Sequence, residues 1–362
     1  MSGGAGSVRQ VLVGAARHDA ITTIALDVER LLGPGRECRT YSWFEPDSSV
    51  RGEVFHVGEM DKGTADDVVV FHLSYGIEEM TEWLLARPER IVIWYHNVTP
   101  HSFYADFDTA FARGLEHGRE QLGLFMERCD TAIADSRFNA DEMRRCGYHT
   151  AFVSSPSLVA DRLVDVTIDS RMVGRAGTLF PGGFILFVSQ VLPHKRPDHA
   201  VELVHLLREH HGLDVGAVWA GPVRQSRYMD AIRELMARLG ESRVWFTDAV
   251  SENELAALYR SCLCFASVSQ HEGLSIPPLE AMAMGAPVIV RGAAAVPETV
   301  GDGAIVVPED WGVVHMSEVV AEVCRDRSLR SRMRIAGRRH VEQIRGRTEF
   351  VDAVGIIGAM FR

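Results

Sequence analysis

The chain has 362 residues, of which 46% are hydrophobic and 24% charged, and it carries a formal net charge of −11. This length and apolar content exclude a disordered chain and favour two domains of ~150–200 residues each. The acidic balance argues against a nucleic-acid-binding protein, because neutralisation of phosphates by basic residues drives that binding.

Short apolar runs alternate with longer amphipathic segments along the first half, which is the pattern of βαβ units and parallel sheets. The predicted strands are Gln10–Gly14, Val68–His72, Arg90–Tyr95, Thr131–Ala134 and Ala151–Ser154. The predicted helices between them are Asp19–Leu32, Thr81–Ala86, Thr109–Glu127 and Phe138–Cys146.

The second half continues the same alternation. Its predicted strands are Phe184–Ser189, Val215–Ala220, Val244–Thr247, Cys262–Ser267, Pro287–Val290 and Ala304–Val307. Pro197 is expected at the first position of a helix, where its missing N–H costs nothing. Ser251 and Glu254 have the spacing of a capping box, which predicts a second helix start.

These elements predict an α/β fold with two Rossmann-like, doubly wound domains. We expect an N-terminal domain over 1–168, a linker over 169–183, a C-terminal domain over 184–345 and a helix over 346–362 that packs back on the first domain. Parallel sheets of this kind bind ligands at the carboxyl ends of their strands. The chemistry is therefore expected in the loops that follow strands, in a cleft that the two domains face.

The loop Gln190–Arg196 follows a predicted strand and leads into the helix that begins near Pro197. Lys195 and Arg196 thus lie at a helix N-terminus, where backbone N–H groups and the helix dipole favour an anion. Two cations at this place suit a diphosphate. The alternative interpretation is a solvated basic turn.

The segment from Ser267 to Glu280 joins a strand to a helix and places two acids, Glu272 and Glu280, toward the same crevice. A carboxylate accepts hydrogen bonds from two neighbouring hydroxyls, so the pair suits a sugar and a ribose. Gly273 allows close approach of the backbone, and the N–H groups near Leu274 and Ser275 can donate to a ligand. The alternative is that both acids merely stabilise a helix N-terminus.

The sequence around these acids, HEGLSIPPLEAMAMGAPVIV, resembles the E-x7-E signature of family-four retaining glycosyltransferases. Three further segments between Phe184 and Pro308 resemble the family in order and spacing. They are FVSQVLPHKRPD, VSENEL and AVPETVG. The N-terminal half matches more loosely, in DAI after the first strand, YHNVTP and ADS, and resembles members that act on polysaccharide or glycoconjugate precursors.

The resemblance implies a GT-B fold with a nucleotide-sugar donor held by the C-terminal domain. Lys195 would contact the diphosphate, Glu280 the ribose, and the main chain near Val250 the base. Glu272, with the N–H groups of Gly273, Leu274 and Ser275, would hold the hydroxyls of the sugar. No cofactor is implied, since the nucleotide-sugar is a co-substrate.

On the acceptor side, the resemblance assigns Asp19, Ala20, His96 and Asn97, with His96 near the anomeric carbon as a catalytic residue beside Glu272 and Lys195. A histidine at the end of a strand is often a hydrogen-bonded structural residue, so both interpretations of His96 stay open. The acceptor would be a glycan, glycolipid or other glycoconjugate.

One position departs from the family pattern. Many members carry Gly-Arg where this chain has Ser189 and Gln190, and that arginine is a second phosphate clamp. Gln190 cannot supply the charge, and the sequence leaves open whether Gln190 or Arg196 takes the place of this clamp.

Departure of the diphosphate would be stabilised by Lys195, Arg196 and the helix dipole. No metal is then required, and Asp106-Phe107-Asp108, which matches a D-x-D metal motif, is interpreted as a chance match. Retention follows from the resemblance. Because no carboxylate nucleophile is evident, same-face attack through an ion-pair-like state is our hypothesis.

The segment Arg325–Arg347 contains nine arginines against two acids, a net charge of about +7. The two interpretations are a solvated helix face and a dock for anionic membrane or a lipid-linked acceptor.

The location predicted for the protein is cytoplasmic, with peripheral contact to the inner membrane face as an extension. The start MSGGAGSVRQVLVG has too short an apolar core for a signal peptide, and no apolar run approaches the ~20 residues of a membrane span. The six cysteines are scattered without a CxxC pair, which favours buried thiols in a reducing compartment.

The function predicted is therefore metal-independent, retaining transfer of a sugar from a GDP-, UDP- or dTDP-linked donor, with no nucleic-acid partner. The alternatives are a sugar-nucleotide epimerase of the same architecture and a non-catalytic nucleotide-sugar-binding protein. A nicotinamide dehydrogenase is disfavoured, because no G-x-G-x-x-G follows the first strand.

Overall fold

The computed structural model describes residues 6–17, 19–33, 37–155 and 162–360. Contacts between Cα atoms divide the chain into two compact units, Met1–Pro156 with Arg347–Arg362 and Ser157–Gly346. Each unit is an α/β structure with its own parallel sheet, which confirms the predicted fold class.

The described residues of the first unit form a seven-stranded parallel sheet in the order β3-β2-β1-β4-β5-β6-β7. Its strands are Val8–Leu12 (β1), Cys38–Ser42 (β2), Val54–His56 (β3), Val68–Leu73 (β4), Arg90–Tyr95 (β5), Cys129–Ala134 (β6) and Ala151–Val153 (β7). Its helices are Ala20–Leu32 (α1), Glu78–Leu85 (α2), Thr109–Phe125 (α3), Arg137–Arg145 (α4) and Glu349–Met360 (α13).

The core of the first unit lies against the central strands β4 and β5. Every residue of β4 is buried, as expected for a strand covered on both faces. One cluster joins Val8 and Val70 of the sheet, Ile24 of α1 and Phe350 and Ile357 of α13. The C-terminal helix therefore packs within the first unit.

Two strands of this sheet, β2 and β3, were not predicted. The sequence of β2, CRTYS, mixes arginine, threonine and serine with its apolar positions, so it does not form an apolar run. β3 has three residues and lies at the edge of the sheet. Both strands are defined by pairing with neighbours, which the local sequence does not encode.

The described residues of the second unit form a six-stranded parallel sheet in the order β10-β9-β8-β11-β12-β13. Its strands are Phe184–Val188 (β8), Gly216–Ala220 (β9), Val244–Phe246 (β10), Cys264–Ser267 (β11), Val288–Arg291 (β12) and Ile305–Val307 (β13). Its helices are Ser170–Leu179 (α5), Pro197–Glu209 (α6), Ser226–Leu239 (α7), Glu252–Ser261 (α8), Ile276–Ala283 (α9), Val296–Val300 (α10), Val313–Arg325 (α11) and Arg327–Arg345 (α12).

Both predicted helix starts in this unit are confirmed. Pro197 is the first residue of α6. Ser251 and Glu254 form the reciprocal hydrogen bonds of a capping box at the start of α8.

The interval 169–183, expected as a linker, instead contains helix α5. Asp169 caps this helix by accepting hydrogen bonds from the N–H groups of Arg171 and Met172. Met172 and Ala176 are buried in the core of the second unit together with residues of α8. The linker prediction is wrong here, because the polar composition of the segment hid a narrow apolar face that is spaced for a helix.

The strand order places two loops of the second unit side by side. β8 lies between β9 and β11. Strands β9 and β10 are added on one side of β8 and strands β11 to β13 on the other, so the carboxyl end of β8 is the topological switch point. The loop from Ser189 to Arg196 follows β8, and the loop from Val268 to Ser275 follows β11. Both segments singled out for chemistry therefore lie at the carboxyl ends of adjacent strands.

Candidate active site

The loop after β8 brings Lys195 to the start of a helix. Residues Pro193–Lys195 form a short 3-10 turn, and Arg196 then adopts a left-handed conformation (φ 56°) as the N-terminal cap of α6. A non-glycine residue in this conformation is strained, and such strain concentrates at functional sites. The turn sets Lys195 beside the positive end of a 13-residue helix.

Lys195 and Glu272 meet in one recess. The Nζ atom of Lys195 donates to Oε1 of Glu272 at 2.7 Å, across 77 residues of sequence. The two side chains are 18% and 12% exposed, so the ion pair is shielded but reachable from solvent. The recess is also lined by Ser189, Ser267, Ser269 and Ser275. These hydroxyls, a cation and an acid are the groups that bind phosphate and sugar hydroxyls.

The loop that carries Glu272 is fastened by the segment after β12. The N–H of Ala295 donates to the carbonyl of Glu272 at 3.2 Å, and the hydroxyl of Thr299 donates to the carbonyl of Leu274. At the end of the loop, Ser275 has a φ of 74° and occupies the position just before α9. The loop of Glu272, Gly273, Leu274 and Ser275 is therefore held by its backbone, and the AVPETVG segment supplies that support.

Glu280 lies on α9 and is buried, with 2% of its surface exposed. Its Oε1 accepts from Nε of Arg162 at 2.6 Å, and its Oε2 accepts from the hydroxyl of Tyr259 at 3.0 Å. Burial and the neighbouring Glu280 carboxylate raise the pKa of Tyr259 well above its ordinary value, so the phenol stays a donor. Arg162 also reaches Glu252 at 3.2 Å. Both ends of the E-x7-E signature are thus paired with a cation in the second unit.

Arg162 and Tyr259 were not found by the sequence analysis. Arg162 lies 118 residues before Glu280, in the range 1–168 that the sequence analysis assigned to the first domain. Tyr259 lies in the amphipathic helix α8, where its spacing indicates only a core residue. No local signal marks either residue as a partner of Glu280.

The guanidinium of Arg196 is directed away from a phosphate role. Its Nε and Nη2 donate to both carboxylate oxygens of Asp198, and the hydroxyl of Tyr228 donates to the same carboxylate at 3.0 Å. Although burial alone would raise it, these contacts hold the pKa of Asp198 below its ordinary value. Gln190 is exposed at the end of β8. The geometry therefore does not favour Arg196 as a replacement for the missing arginine.

Val250, assigned to the base by resemblance, lies in the turn between β10 and α8. Its side chain is half-buried against the core of the second unit. The preceding Asp248 has a φ of 63°, and its carbonyl accepts from the N–H of Gly221 at 3.2 Å, which fixes the turn next to the end of β9.

In the first unit, His96 is enclosed by hydrogen-bonding neighbours. Its Nδ1 lies 2.7 Å from Oδ2 of Asp135, and its Nε2 lies 2.8 Å from Nδ1 of His72. Only 2% of its side chain is exposed. The chain continues from Nε2 of His72 to Oε1 of Gln10 at 3.0 Å, and Oδ1 of Asp135 accepts from the indole of Trp94 at 2.8 Å.

The orientation of Gln10 determines where protons sit in this chain. Its Nε2 donates to the carbonyl of Ala25 at 2.7 Å, so Oε1 must accept from His72. Burial lowers the pKa of His72 well below its ordinary value, so its other nitrogen, Nδ1, is bare and accepts from His96. This arrangement favours a structural role for His96, and its catalytic role stays a prediction.

The other residues assigned to the acceptor side also have local structural partners. Asp19 caps α1, since its Oδ2 accepts from the N–H and the hydroxyl of Thr22, both at 2.9 Å, and Ala20 is the first residue of that helix. Asn97 has a φ of 78° and its amide donates to Oδ1 of Asn139 at 2.9 Å.

Within the described ranges, no group of three histidine, cysteine or acidic side chains is arranged to hold a metal ion. Asp108 of the D-x-D match caps α3 by accepting from the N–H of Phe111 at 3.0 Å. No helix in the described part of the chain is long and apolar enough to cross a membrane.

Comparison with known proteins finds similar sequences among glycosyltransferases. Residues 181–340 match the model of the family described as glycosyl transferases group 1. A D-inositol 3-phosphate glycosyltransferase of Streptomyces bingchenggensis is 29% identical over 252 residues, which cover 64% of this chain and 53% of that protein. The serotype-specific mannosyltransferase WbdA of Escherichia coli is 32% identical over 123 residues, 33% of this chain and 15% of WbdA. The chain thus spans about half, or less, of these relatives.

Solved structures show the same fold over nearly the whole chain. WaaG, a glycosyltransferase involved in lipopolysaccharide biosynthesis, superposes with a TM-score of 0.70 at 16% identity and covers 97% of this chain and 99% of its own. Anabaena Alr3699/HepE in complex with UDP gives a TM-score of 0.67 at 12% identity, with 98% and 97% covered. These matches confirm the predicted GT-B fold. The chain therefore has the GT-B fold, and residues 181–340 within it match the glycosyl transferases group 1 model.

Proposed function

We propose that this protein transfers a sugar from a nucleotide-diphosphate donor to a carbohydrate or glycoconjugate acceptor, with retention of anomeric configuration and without a metal ion. The observation that carries the proposal is the recess at the switch point of the second sheet. There Lys195, at the start of α6, and Glu272, in the loop after β11, lie 2.7 Å apart in a recess that four serines also line.

The two charges suit the two ends of a breaking glycosidic bond. Cleavage of the bond between the anomeric carbon and the phosphate oxygen leaves negative charge on the diphosphate. Lys195 and the N-terminus of α6 are fixed in place to stabilise that charge in a shielded recess. Glu272 accepts hydrogen bonds from the sugar hydroxyls. Glu280, held by Arg162 and Tyr259, keeps unused lone pairs that can accept from the ribose.

Retention and metal independence rest on the same chemistry. A fixed cation and a helix dipole supply the positive charge that a divalent ion would otherwise provide. The carboxylate of Glu272 is paired with Lys195, which disfavours it as a nucleophile and favours attack on the face that the diphosphate leaves. Measuring transfer rates with added Mg²⁺ and with EDTA, and the anomeric configuration of the product by NMR, tests both points.

The most informative experiment is a thermal-shift panel of nucleotide sugars followed by an acceptor-dependence assay. UDP-glucose and GDP-mannose are tested first, because similar solved structures contain UDP or UDP-glucose and one relative is named as a mannosyltransferase. A donor at 100 times its Kd stabilises the folded state by about 2.7 kcal/mol. We expect stabilisation by one nucleotide series and release of nucleotide only when an acceptor is present.

Two variants make the test specific to the recess. Lys195→Met removes the proposed phosphate contact and should abolish most of the donor-induced shift. Glu342→Gln, on the exposed face of α12, changes the net charge by one unit outside the recess and should leave the shift unchanged. Nucleotide release without an acceptor and with an inverted sugar stereocentre would indicate the epimerase. Tight donor binding with no turnover on any acceptor would indicate the binding protein.

A further inference from the structure

The ion pair between Lys195 and Glu272 occupies the contacts that a donor would use. The ammonium of Lys195 offers three donors, and among the residues the structure describes it pairs with the Glu272 carboxylate. The cation proposed for the diphosphate is therefore already neutralised by the acid proposed for the sugar.

A bare diphosphate that enters this recess meets a competing anion. If the phosphate takes Lys195, the carboxylate of Glu272 loses its cation while its side chain is only 12% exposed. An unpaired, poorly solvated carboxylate next to a phosphate raises the free energy of that complex. A diphosphate that carries a sugar avoids this cost, because the sugar hydroxyls donate to Glu272 in place of Lys195.

The exchange of partners needs only a side-chain rotation. The backbone of the loop is held by the N–H of Ala295 on the carbonyl of Glu272 and by the hydroxyl of Thr299 on the carbonyl of Leu274. Neither bond involves the carboxylate. Glu272 can therefore turn from Lys195 to a sugar without movement of the loop.

We propose that Glu272 is a specificity-determining residue that discriminates against sugar-free nucleoside diphosphates by competing with them for Lys195. The inference rests on the proposed function and deepens it, because it assigns to the same acid both recognition of the donor sugar and expulsion of the product. After transfer the sugar is gone, Glu272 returns to Lys195, and the diphosphate loses its contact. The specificity is the difference between the affinities for the glycosylated and the bare diphosphate. Repulsion between Glu272 and the bare diphosphate supplies part of that difference.

The test measures affinities by isothermal titration calorimetry. Inorganic pyrophosphate probes the phosphate contact without any assumption about the base. UDP with UDP-glucose and GDP with GDP-mannose give the ratio of bare to glycosylated affinity. The proteins are the wild type, Glu272→Gln, the charge-matched control Glu342→Gln, and Glu272→Gln combined with Lys195→Met.

We expect Glu272→Gln to bind pyrophosphate and the recognised nucleoside diphosphate roughly tenfold more tightly than the wild type, because a competing charge has been removed. The matching nucleotide sugar should gain less or lose affinity, since a carboxylate that accepts from its hydroxyls is replaced by an amide. Product inhibition should become correspondingly stronger. Glu342→Gln should match the wild type, and loss of Lys195 should cancel the gain.

If the wild type binds nucleotide and Glu272→Gln binds the diphosphate no more tightly, this inference is overturned. The proposed function is then unaffected. A wild type that binds neither nucleotide nor nucleotide sugar would overturn both. Glu272→Ala provides a second variant in the same direction, and thermal melting by circular dichroism verifies that each variant is folded.

Discussion

At the scale of residues, the two adjacent cations Lys195 and Arg196 have different surroundings. Lys195 faces a solvent-reachable recess and pairs with Glu272, whereas Arg196 is bound by both oxygens of Asp198. Adjacent positions in sequence thus have different side-chain partners. A conformation with positive φ at Arg196 turns the chain between them and starts α6.

This difference predicts unequal effects of removing each charge. Lys195→Met should lower kcat/KM roughly 10²–10³-fold, the usual loss when one preorganised charge-stabilising group is removed. Arg196→Met should lower kcat/KM less than roughly tenfold but reduce the free energy of unfolding by about 1–3 kcal/mol, because Asp198 loses its cation. Initial rates and urea unfolding measure the two effects. A loss of activity in Arg196→Met as large as in Lys195→Met, with unchanged stability, would make Arg196 the second clamp.

At the scale of elements, the short helix α10 supports the loop that carries Glu272. Thr299 reaches the carbonyls of both Leu274 and Ala295 with one hydroxyl. The carbonyl of Thr299 in turn lies 2.8 Å from Nε2 of His340 on α12. The loop is therefore connected through α10 to the long helix of the same unit.

Thr299→Val keeps the shape of the side chain and removes the hydroxyl. We expect a loss of about 1 kcal/mol in the free energy of unfolding and a rise of roughly fivefold in KM for the donor, because the loop loses a buried hydrogen bond. Steady-state kinetics with varied donor gives the answer. The control is Thr178→Val on α5, whose exposed hydroxyl donates to the carbonyl of Gly174 in its own helix, 2.9 Å away. Equal KM values in the two variants would contradict the supporting role.

The solvent face of α12 carries an apolar side chain among arginines. Ile335 is 62% exposed. Arg332, Arg338 and Arg339 are exposed and lie at helical spacings of three and four residues from it. Exposed arginines around an apolar side chain can bind anionic lipid headgroups.

We therefore expect the protein to float with vesicles that contain phosphatidylglycerol and not with neutral vesicles. Each arginine near such a surface contributes about 1 kcal/mol. Removing both Arg338 and Arg339 by substitution with glutamine should lower vesicle binding ~10–30-fold. The same change at Arg227 and Arg233, exposed on α7, provides the control. Equal binding to neutral vesicles would contradict a role of the arginines, and binding to neither kind of vesicle would assign the face to solvent.

At the scale of the whole molecule, buried neutral histidines in both units link stability to pH. Burial lowers the pKa of His72 in the first unit and of His194 in the second well below the ordinary value. Burial and the neighbouring Arg196 lower the pKa of His199 to about 4. In the unfolded chain these groups take up protons below about pH 6.5. The folded state therefore binds fewer protons than the unfolded state in this range.

The free energy of unfolding should then fall as the pH is lowered from about 6.5 toward 4, by up to about 1.4 kcal/mol per pH unit for each such histidine. The stabilisation that Asp198 provides is lost only at still lower pH, because the pKa of its carboxyl lies below the ordinary value. Urea unfolding at pH 7.5, 6 and 5 measures the slope. His199→Gln should make the free energy of unfolding less dependent on pH. His210→Gln, at the exposed end of α6, should leave this dependence unchanged. Stability that rises on acidification would contradict this account.

The sequence by itself determined the alternation of strands and helices, the start of α6 at Pro197 and the GT-B resemblance of the second half. These features are local: apolar runs, capping residues and motifs act over a few neighbouring positions. Lys195 and Glu272 could be selected from their loops for the same reason, since each loop follows a strand.

Only the tertiary structure decided which charges meet. The pairing of Glu280 with Arg162, of Arg196 with Asp198 and of His96 with His72 depends on side chains that the folding of parallel strands brings together. The strands β2 and β3 and the helix α5 likewise follow from packing against neighbours rather than from their own composition. Parallel sheets join segments far apart in the chain, so contacts at their carboxyl ends leave no spacing in the sequence from which to predict them.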